Sequence, residues 1–527
     1  MKLSKRNGAA ALGLALGATG FGLVGTASAA PDTASRSSVT PAIAWQACPQ
    51  YSDDVLGFLG VQPKDRAAFR TMWARTDCGT VSVPLDYRHP EGQHVTIAFT
   101  RLKAKDQAHR QGVLFMNPGG PGGSGYLMPE QLALQNPADA QLNDQYDLIG
   151  FDPRGIGYST SYDCSGIQGG PPPQSGQMTK AQVRQAYDQS AKTNAACSSS
   201  DPAFLGQLTT ANAARDLDQL RRALHERQAS YFGVSWGTQL GAVYRSMFPA
   251  TIHRMWLDSV VSPRAYDLAY RIDDSTQAME QDFGLFAAWL AQRDSVYGLG
   301  DTAQKVTARV LALREQGDAH PWQFTDMASP LGGGFIAFLA SSQNTGWEQA
   351  AAVLKNMTTA VSGQPAPPGV PAAAGSDGPP PPPPSGAPQA FNPTAQQAYL
   401  CNEDDSSRAF EPLWDEYQRN LEQNPVTGDL TALRPTCAGW TLPVQHFTLR
   451  YSSGSLEMSG HRYETLTPYP WVWQMRDTIG GTVFTVDDFR HGSLAQVPVC
   501  AAHLAAYFET GAPDSGSCPG LQPGDAT

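Results

Sequence analysis

The segment from Ser230 to Phe248 constrains the fold more than any other. Ser230–Val234 is a short, mostly apolar run, and Gly233-Val234-Ser235-Trp236-Gly237 spells G-x-S-x-G. Leu240, Val243, Tyr244 and Met247 then recur at the spacing of one buried helix face. A strand that turns into a helix at a serine strains that residue's backbone and exposes its hydroxyl. Glycines on either side let neighbouring elements approach without Cβ clashes. The helix N-terminus adds backbone N–H groups and a positive dipole end where a developing oxyanion needs them. A glycine-rich packing turn with an idle serine is the competing reading. The strand before the motif and the amphipathic helix after it argue for a nucleophile.

The rest of the N-terminal half supplies a sheet around this turn. Thr80–Leu85 and His94–Leu102 alternate apolar and polar residues across a His89-Pro90-Glu91-Gly92 turn, the pattern of two paired strands. Val113–Met116 is wholly apolar and Asp147–Phe151 is similar, as strands buried on both faces of a parallel sheet are. A helix is predicted over Thr209–Glu226, a strand over Ser230–Val234, a helix over Thr238–Phe248 and a strand over Arg254–Leu257. This alternation is that of an open α/β sheet. From Pro263 long helical segments take over, among them Ala265–Arg293 and Thr302–Gln316. Short strands return at Ser455–Met458 and Thr482–Val486. The predicted layout is a sheet over residues 30–262, an inserted and mostly helical cap over 263–440, and completion of the sheet by 441–527. Within the cap, residues 362–393 are rich in Pro, Gly and Ala and include six consecutive prolines, Pro379–Pro384. A mobile excursion of polyproline character is expected there.

Lys2, Lys5 and Arg6, the small-residue apolar stretch Gly8–Val24 and Ala27-Ser28-Ala29 read as a secretory signal over residues 1–29. All eight cysteines lie beyond it, an even number suited to disulfides in an oxidising compartment. Sequential pairing, Cys48–Cys78, Cys164–Cys197, Cys401–Cys437 and Cys500–Cys518, closes modest local loops. There is no C-x-x-C and no H-E-x-x-H, so neither a metal nor another cofactor is expected. A net charge of −11 makes nucleic acid a poor partner. No later segment is long and apolar enough to span a bilayer. A secreted, soluble monomer is the expectation.

Asn117-Pro118-Gly119-Gly120-Pro121-Gly122-Gly123-Ser124-Gly125 follows an early strand, where an oxyanion loop belongs. The N–H groups of Gly119 or Gly120 would pair with that of Trp236. Gly120–Gly125 also matches G-x-G-x-x-G, but its prolines and the absence of a following helix disfavour a dinucleotide site. The base and its orienting acid should come late in the chain. His491 lies just after the Thr482–Val486 strand, where a histidine can swing toward the serine. His461 is the next candidate. For the acid, Glu464 in the Gly460–Pro468 turn is preferred and Asp258 is the rival. Asp487 and Asp488 read as a solvated turn beside His491.

With these residues assembled, the chain resembles the secreted α/β-hydrolase peptidases of actinomycetes, the tripeptidyl aminopeptidases and their prolyl-aminopeptidase relatives. The matching pieces are Asn117–Gly125, Asp152–Ser159, Gly233–Gly241, Leu257-Asp258-Ser259-Val260, Thr465–Pro468 and His491-Gly492, with Cys401-Asn402-Glu403 and the Cys500, Cys518 pair. The resemblance implies a Ser235–Glu464–His491 triad and peptides or protein N-termini as substrates. It also implies a cap carboxylate, Glu403 with Asp404 beside it, that binds the free α-ammonium. Asp273 and Asp274 are weaker candidates for that task. Two departures stand out. The family usually has Asp where Glu464 lies, and its G-x-x-D turn is one residue longer here. A secreted esterase or lipase with the same triad is the second reading, and an exported binding protein with a degenerate site the third.

Overall fold

The computed structural model describes residues 40–167, 177–374, 382–430 and 436–522. The expected signal segment lies outside them. The strands are β1 (Ile43–Gln46), β2 (Thr76–Pro84), β3 (His94–Leu102), β4 (Gly112–Asn117), β5 (Tyr146–Phe151), β6 (Ala229–Val234), β7 (Ile252–Asp258), β8 (Glu457–His461), β9 (Thr482–Val486) and β10 (Ser517–Cys518). They form one sheet in the order β1-β2-β3-β5-β4-β6-β7-β8-β9-β10. β1, β2 and β3 pair antiparallel, β3 joins β5 antiparallel, and every later pairing is parallel.

The parallel strands are apolar because helices cover both of their faces. Every residue of β5 and of β8 is buried. The Thr210–Ala223 and Trp236–Met247 helices pack Leu217, Leu220, Leu240 and Val243 on one face of the sheet. The Pro498–Thr510 helix packs Leu504 and Phe508 on the other. Each such side chain contributes about 1.5–3 kcal/mol by leaving water.

The chain leaves the sheet after β7 and returns to it at β8, and the residues between are mainly helical. This cap has its own apolar core, including Phe286, Val310, Trp322, Ile336, Trp347 and Leu354. The four disulfides join Cys48–Cys78, Cys164–Cys197, Cys401–Cys437 and Cys500–Cys518, the sequential pattern. No described helix is long and apolar enough to cross a membrane.

Where it is described, the proline-rich excursion makes hydrogen bonds to the rest of the cap, Gly363 N–H to Gln323 O at 2.8 Å among them. Val370 is buried in the cap core, Val370–Ala374 forms a short helix, and the Asn356 amide donates to Pro368 O at 2.9 Å. Further along, Ala390–Asn392 lies against the glycine-rich loop. The Ser124 N–H donates to Ala390 O and the Asn392 N–H to Gly122 O, each at 2.9 Å. Prolines rule out a regular ladder, but Ala390 and Asn392 are free to make these two bonds.

Candidate active site

β6 delivers Ser235 and the Trp236–Met247 helix begins at the next residue. Ser235 has φ 59° and ψ −130°, the left-handed backbone of a sharp elbow. Three hydrogen bonds hold it there. The Ser235 N–H donates to Asp258 O at 3.0 Å, and Ser235 O accepts from the Thr238 N–H at 2.8 Å and its hydroxyl at 2.7 Å. The flanking glycines have the role expected of them. A Cβ on Gly233 would lie 2.5 Å from Gly237 O, and one on Gly237 would lie 2.6 Å from Asn117 O.

Gly119 packs on the elbow. A Cβ there would come within 2.4 Å of Val234 O and 2.8 Å of Ser235 Cβ, and its φ of 92° favours glycine independently. The structure corrects its predicted role, because the Gly119 N–H donates to Asn117 Oδ1 at 3.0 Å and is already used. The N–H groups of Gly120 and Trp236 have no partner among the described residues. These two remain as the candidate oxyanion donors. Phe391, brought in by the docked cap segment, lies beside Gly120 and Gly122.

His491 follows β9, and its Nδ1 contacts Glu464 Oε1. The histidine side chain is 25% exposed and the glutamate 1%, the arrangement wanted of a base that meets substrate and an acid that does not. Glu464 Oε1 also accepts from the Thr467 hydroxyl at 2.6 Å and N–H at 3.1 Å. Burial alone would raise the Glu464 pKa, but the rings of His491 and His461 pull it below the ordinary carboxylate value. Burial works against charge on His491, and Glu464 overcomes it, so that imidazole titrates above its ordinary range.

Ser259 links Glu464 to the loop that carries His491 and was not foreseen. Its hydroxyl donates to Glu464 Oε2 at 2.9 Å and accepts the Gly492 N–H at 2.8 Å. The base loop also touches the elbow, since a Cβ on Gly492 would lie 3.0 Å from Val234 Cγ1. The rival acid Asp258 faces a different ring: its Oδ1 lies 2.9 Å from His461 Nε2. Asp488, expected in a solvated turn, is fully buried and lies 2.7 Å from His461 Nδ1. Asp487 is at the surface and pairs with Arg462. The cap reaches the same loops through rings. Phe489 stacks on Tyr463 at 4.7 Å and meets Trp347 of the cap at 5.4 Å. Tyr399 of the cap meets Trp236 at 4.9 Å.

Glu403 and Asp404 are buried, and Asp273 and Asp274 are half-buried. Glu403 accepts from the Thr210 N–H at 2.6 Å and its hydroxyl at 2.8 Å, so both oxygens are committed at a helix N-terminus. Burial raises its pKa to about 8. Asp404 accepts from the Ser406 hydroxyl at 2.7 Å. Asp273 accepts from the Asn420 amide and Asp274 from the Trp471 indole. The geometry therefore lends no support to any of the four as a presented ammonium ligand. Within Asp152–Ser159, Arg154 is fully buried and forks onto Asp216 at 2.6 and 2.7 Å, an ion pair that holds the core. Removing one partner of such a pair costs about 3–5 kcal/mol.

A family profile described as alpha/beta hydrolase fold matches residues 112–323, which include the glycine-rich loop and the serine elbow. The fold is that of an α/β-hydrolase. The chain is 37% identical over 264 residues to a tripeptidyl aminopeptidase of Streptomyces coelicolor, 48% of each chain. It is 32% identical over 203 residues to the serine protease Hip1 of Mycobacterium tuberculosis, 36% of each. It is 30% identical over 232 residues to carboxylesterase B of Mycobacterium tuberculosis, 43% of this chain and 41% of that one. The chain thus spans about half the length of the relatives it matches, or less.

Proposed function

We propose that the chain is an exported serine peptidase that acts on free N-termini and releases short peptides, tripeptides foremost, through an acyl-enzyme. The observation that carries this reading is the His491–Glu464 contact beside a serine elbow. In the proposed reaction His491 takes the proton of Ser235 as its Oγ attacks the peptide carbonyl. The N–H groups of Gly120 and Trp236 hold the oxyanion, and Glu464 fixes the imidazole tautomer and stabilises the imidazolium. His491 then protonates the leaving amine, and water releases the acyl group. The Ser235 hydroxyl has no hydrogen bond among the described residues. Such contacts commonly tighten only when substrate binds. Export is supported by the four disulfides, which persist in oxidising compartments.

The exopeptidase mode rests on the relatives named as tripeptidyl aminopeptidases. It is tested by comparing an Ala-Ala-Pro anilide with its N-acetylated form. Preference for the free amine is expected; equal turnover ends the aminopeptidase claim. One observation favours a second reading, an esterase: Glu403 and Asp404 are bound internally, and carboxylesterase B is among the relatives. Turnover of p-nitrophenyl esters with neither anilide cleaved would select it.

A further inference from the structure

We propose that His461 is a positioning residue for the catalytic pair. Clamped between Asp258 and Asp488, it locks the strand end that holds the serine elbow to the loop that carries the base. This inference rests on the triad reading of Ser235, Glu464 and His491.

His461 ends β8, and its side chain and those of Asp258 and Asp488 are fully buried. Each ring nitrogen faces a carboxylate oxygen, Nε2 to Asp258 Oδ1 at 2.9 Å and Nδ1 to Asp488 Oδ1 at 2.7 Å. An ionised carboxylate only accepts, so both nitrogens donate and the ring is an imidazolium. A buried cation between two buried anions is a costly way to fill space, and apolar residues often do so as well or better. What it adds here is a fixed geometry between three loops.

Each carboxylate belongs to a working part. Asp258 O accepts the Ser235 N–H at 3.0 Å, and Ser259, the next residue, bridges Glu464 and Gly492. Its carboxylate also accepts the Ser459 hydroxyl at 2.6 Å. Asp488 O accepts the Tyr463 N–H at 3.0 Å, just before Glu464. Asp488 Oδ1 accepts the Arg490 N–H at 3.3 Å, just before His491. Its Oδ2 accepts the Ser493 hydroxyl at 2.5 Å and the Leu521 N–H at 2.9 Å. His461 therefore ties β7, the acid turn and the base loop at one point. The charged groups that face it are Asp258 from β7, Glu464 from the acid turn, and Asp488 and His491 from the base loop. Arg462 and Asp487, one residue further along the two elements, pair with each other at the surface.

The sign of the effect on His491 follows. Removing the His461 charge takes a cation away and leaves Asp258 and Asp488 uncompensated, so His491 holds its proton more tightly. Removing the Asp258 charge does the opposite. The test is the second-order rate of fluorophosphonate labelling of Ser235 against pH, with the labelled fraction at completion, for wild type, His461→Gln and Asp258→Asn. Because it needs no peptide substrate, the result does not depend on the exopeptidase mode. The rate per labelled site is expected to fall about 10- to 100-fold in His461→Gln. Its acid limb should move about one unit to higher pH, and that of Asp258→Asn to lower pH. If the sites that label do so at the wild-type rate with the acid limb unmoved in both variants, His461 only fills the core and the proposal fails. Should His461→Gln not fold, the Asp258→Asn limb alone decides, an unmoved limb overturning the proposal. A wild-type chain that does not label at Ser235 overturns the triad reading itself, a result distinct from an unmoved limb.

Discussion

Ser259 donates its hydroxyl to Glu464 Oε2 at 2.9 Å from a left-handed backbone with φ 52°. The Ser259 hydroxyl oxygen also accepts the Gly492 N–H, so one side chain fixes the distance between Glu464 and the residue after His491. Ser259→Ala removes both contacts. A hydrogen bond to a charged group is worth about 1.5–3 kcal/mol, and about 1.4 kcal/mol is tenfold in rate, so kcat should fall roughly 10- to 100-fold. Ser259→Gly relieves the backbone and should regain stability without regaining rate. Steady-state kinetics beside thermal unfolding separates the two effects.

Glu464→Gln keeps the shape of the acid and removes its charge. Turnover should fall by about four orders of magnitude, because the imidazolium loses its partner and the tautomer is no longer fixed. Asp258 lies against His461 at 2.9 Å, with no hydrogen bond to His491 among the described residues. A rate near wild type would show that the acid lies elsewhere.

The pH dependence has a defined sign. In the proposed reaction the neutral His491 ring is the base, and its pKa lies above the ordinary 6.5 because Glu464 outweighs burial. The acid limb of kcat/KM should therefore centre above about 6.5 and move down in Glu464→Gln. For stability, the raised His491 pKa contributes fully below 6.5 and is lost as pH rises through the folded value. The lowered Glu464 pKa contributes above 4.5 and is lost as pH falls through its folded value. The pair thus strengthens the fold most between those two pKa values, which titration of thermal stability against pH will check.

Gly119→Ala should disable the site while leaving Ser235, Glu464 and His491 chemically intact. Its Cβ would lie 2.4 Å from Val234 O and 2.8 Å from Ser235 Cβ, so the elbow or the loop must shift. A displacement of about 1 Å costs about 100-fold in rate. Fluorophosphonate labelling should slow by at least that factor, and an unchanged rate would mean that the loop does not press on the elbow.

Much of this architecture was legible in the residues. β3 and β9 lie where alternation and a β-branched run put them, His94–Leu102 and Thr482–Val486. The elbow was legible because apolar strand, glycines and helix face all point to one serine. β8 was read only up to Met458. Its last residues, Ser459, Gly460 and His461, carry no apolar signal, yet they are buried because side chains from other elements satisfy them. The Lys180–Ser200 helix went unseen because its surface is polar; the Cys164–Cys197 bridge and Val183 hold it down. The Asp258–His461–Asp488 cluster spans 230 positions of sequence, and no local pattern links its members. Hydrogen bonds across such a distance become visible only once the sheet has brought the loops together.

The most direct test of the account is mass-spectrometric mapping of fluorophosphonate adducts on wild type and His491→Ala. The account predicts a single stoichiometric adduct on Ser235 in wild type and almost none in His491→Ala. An adduct on another serine, or equal labelling of Ser235 in both, would contradict it.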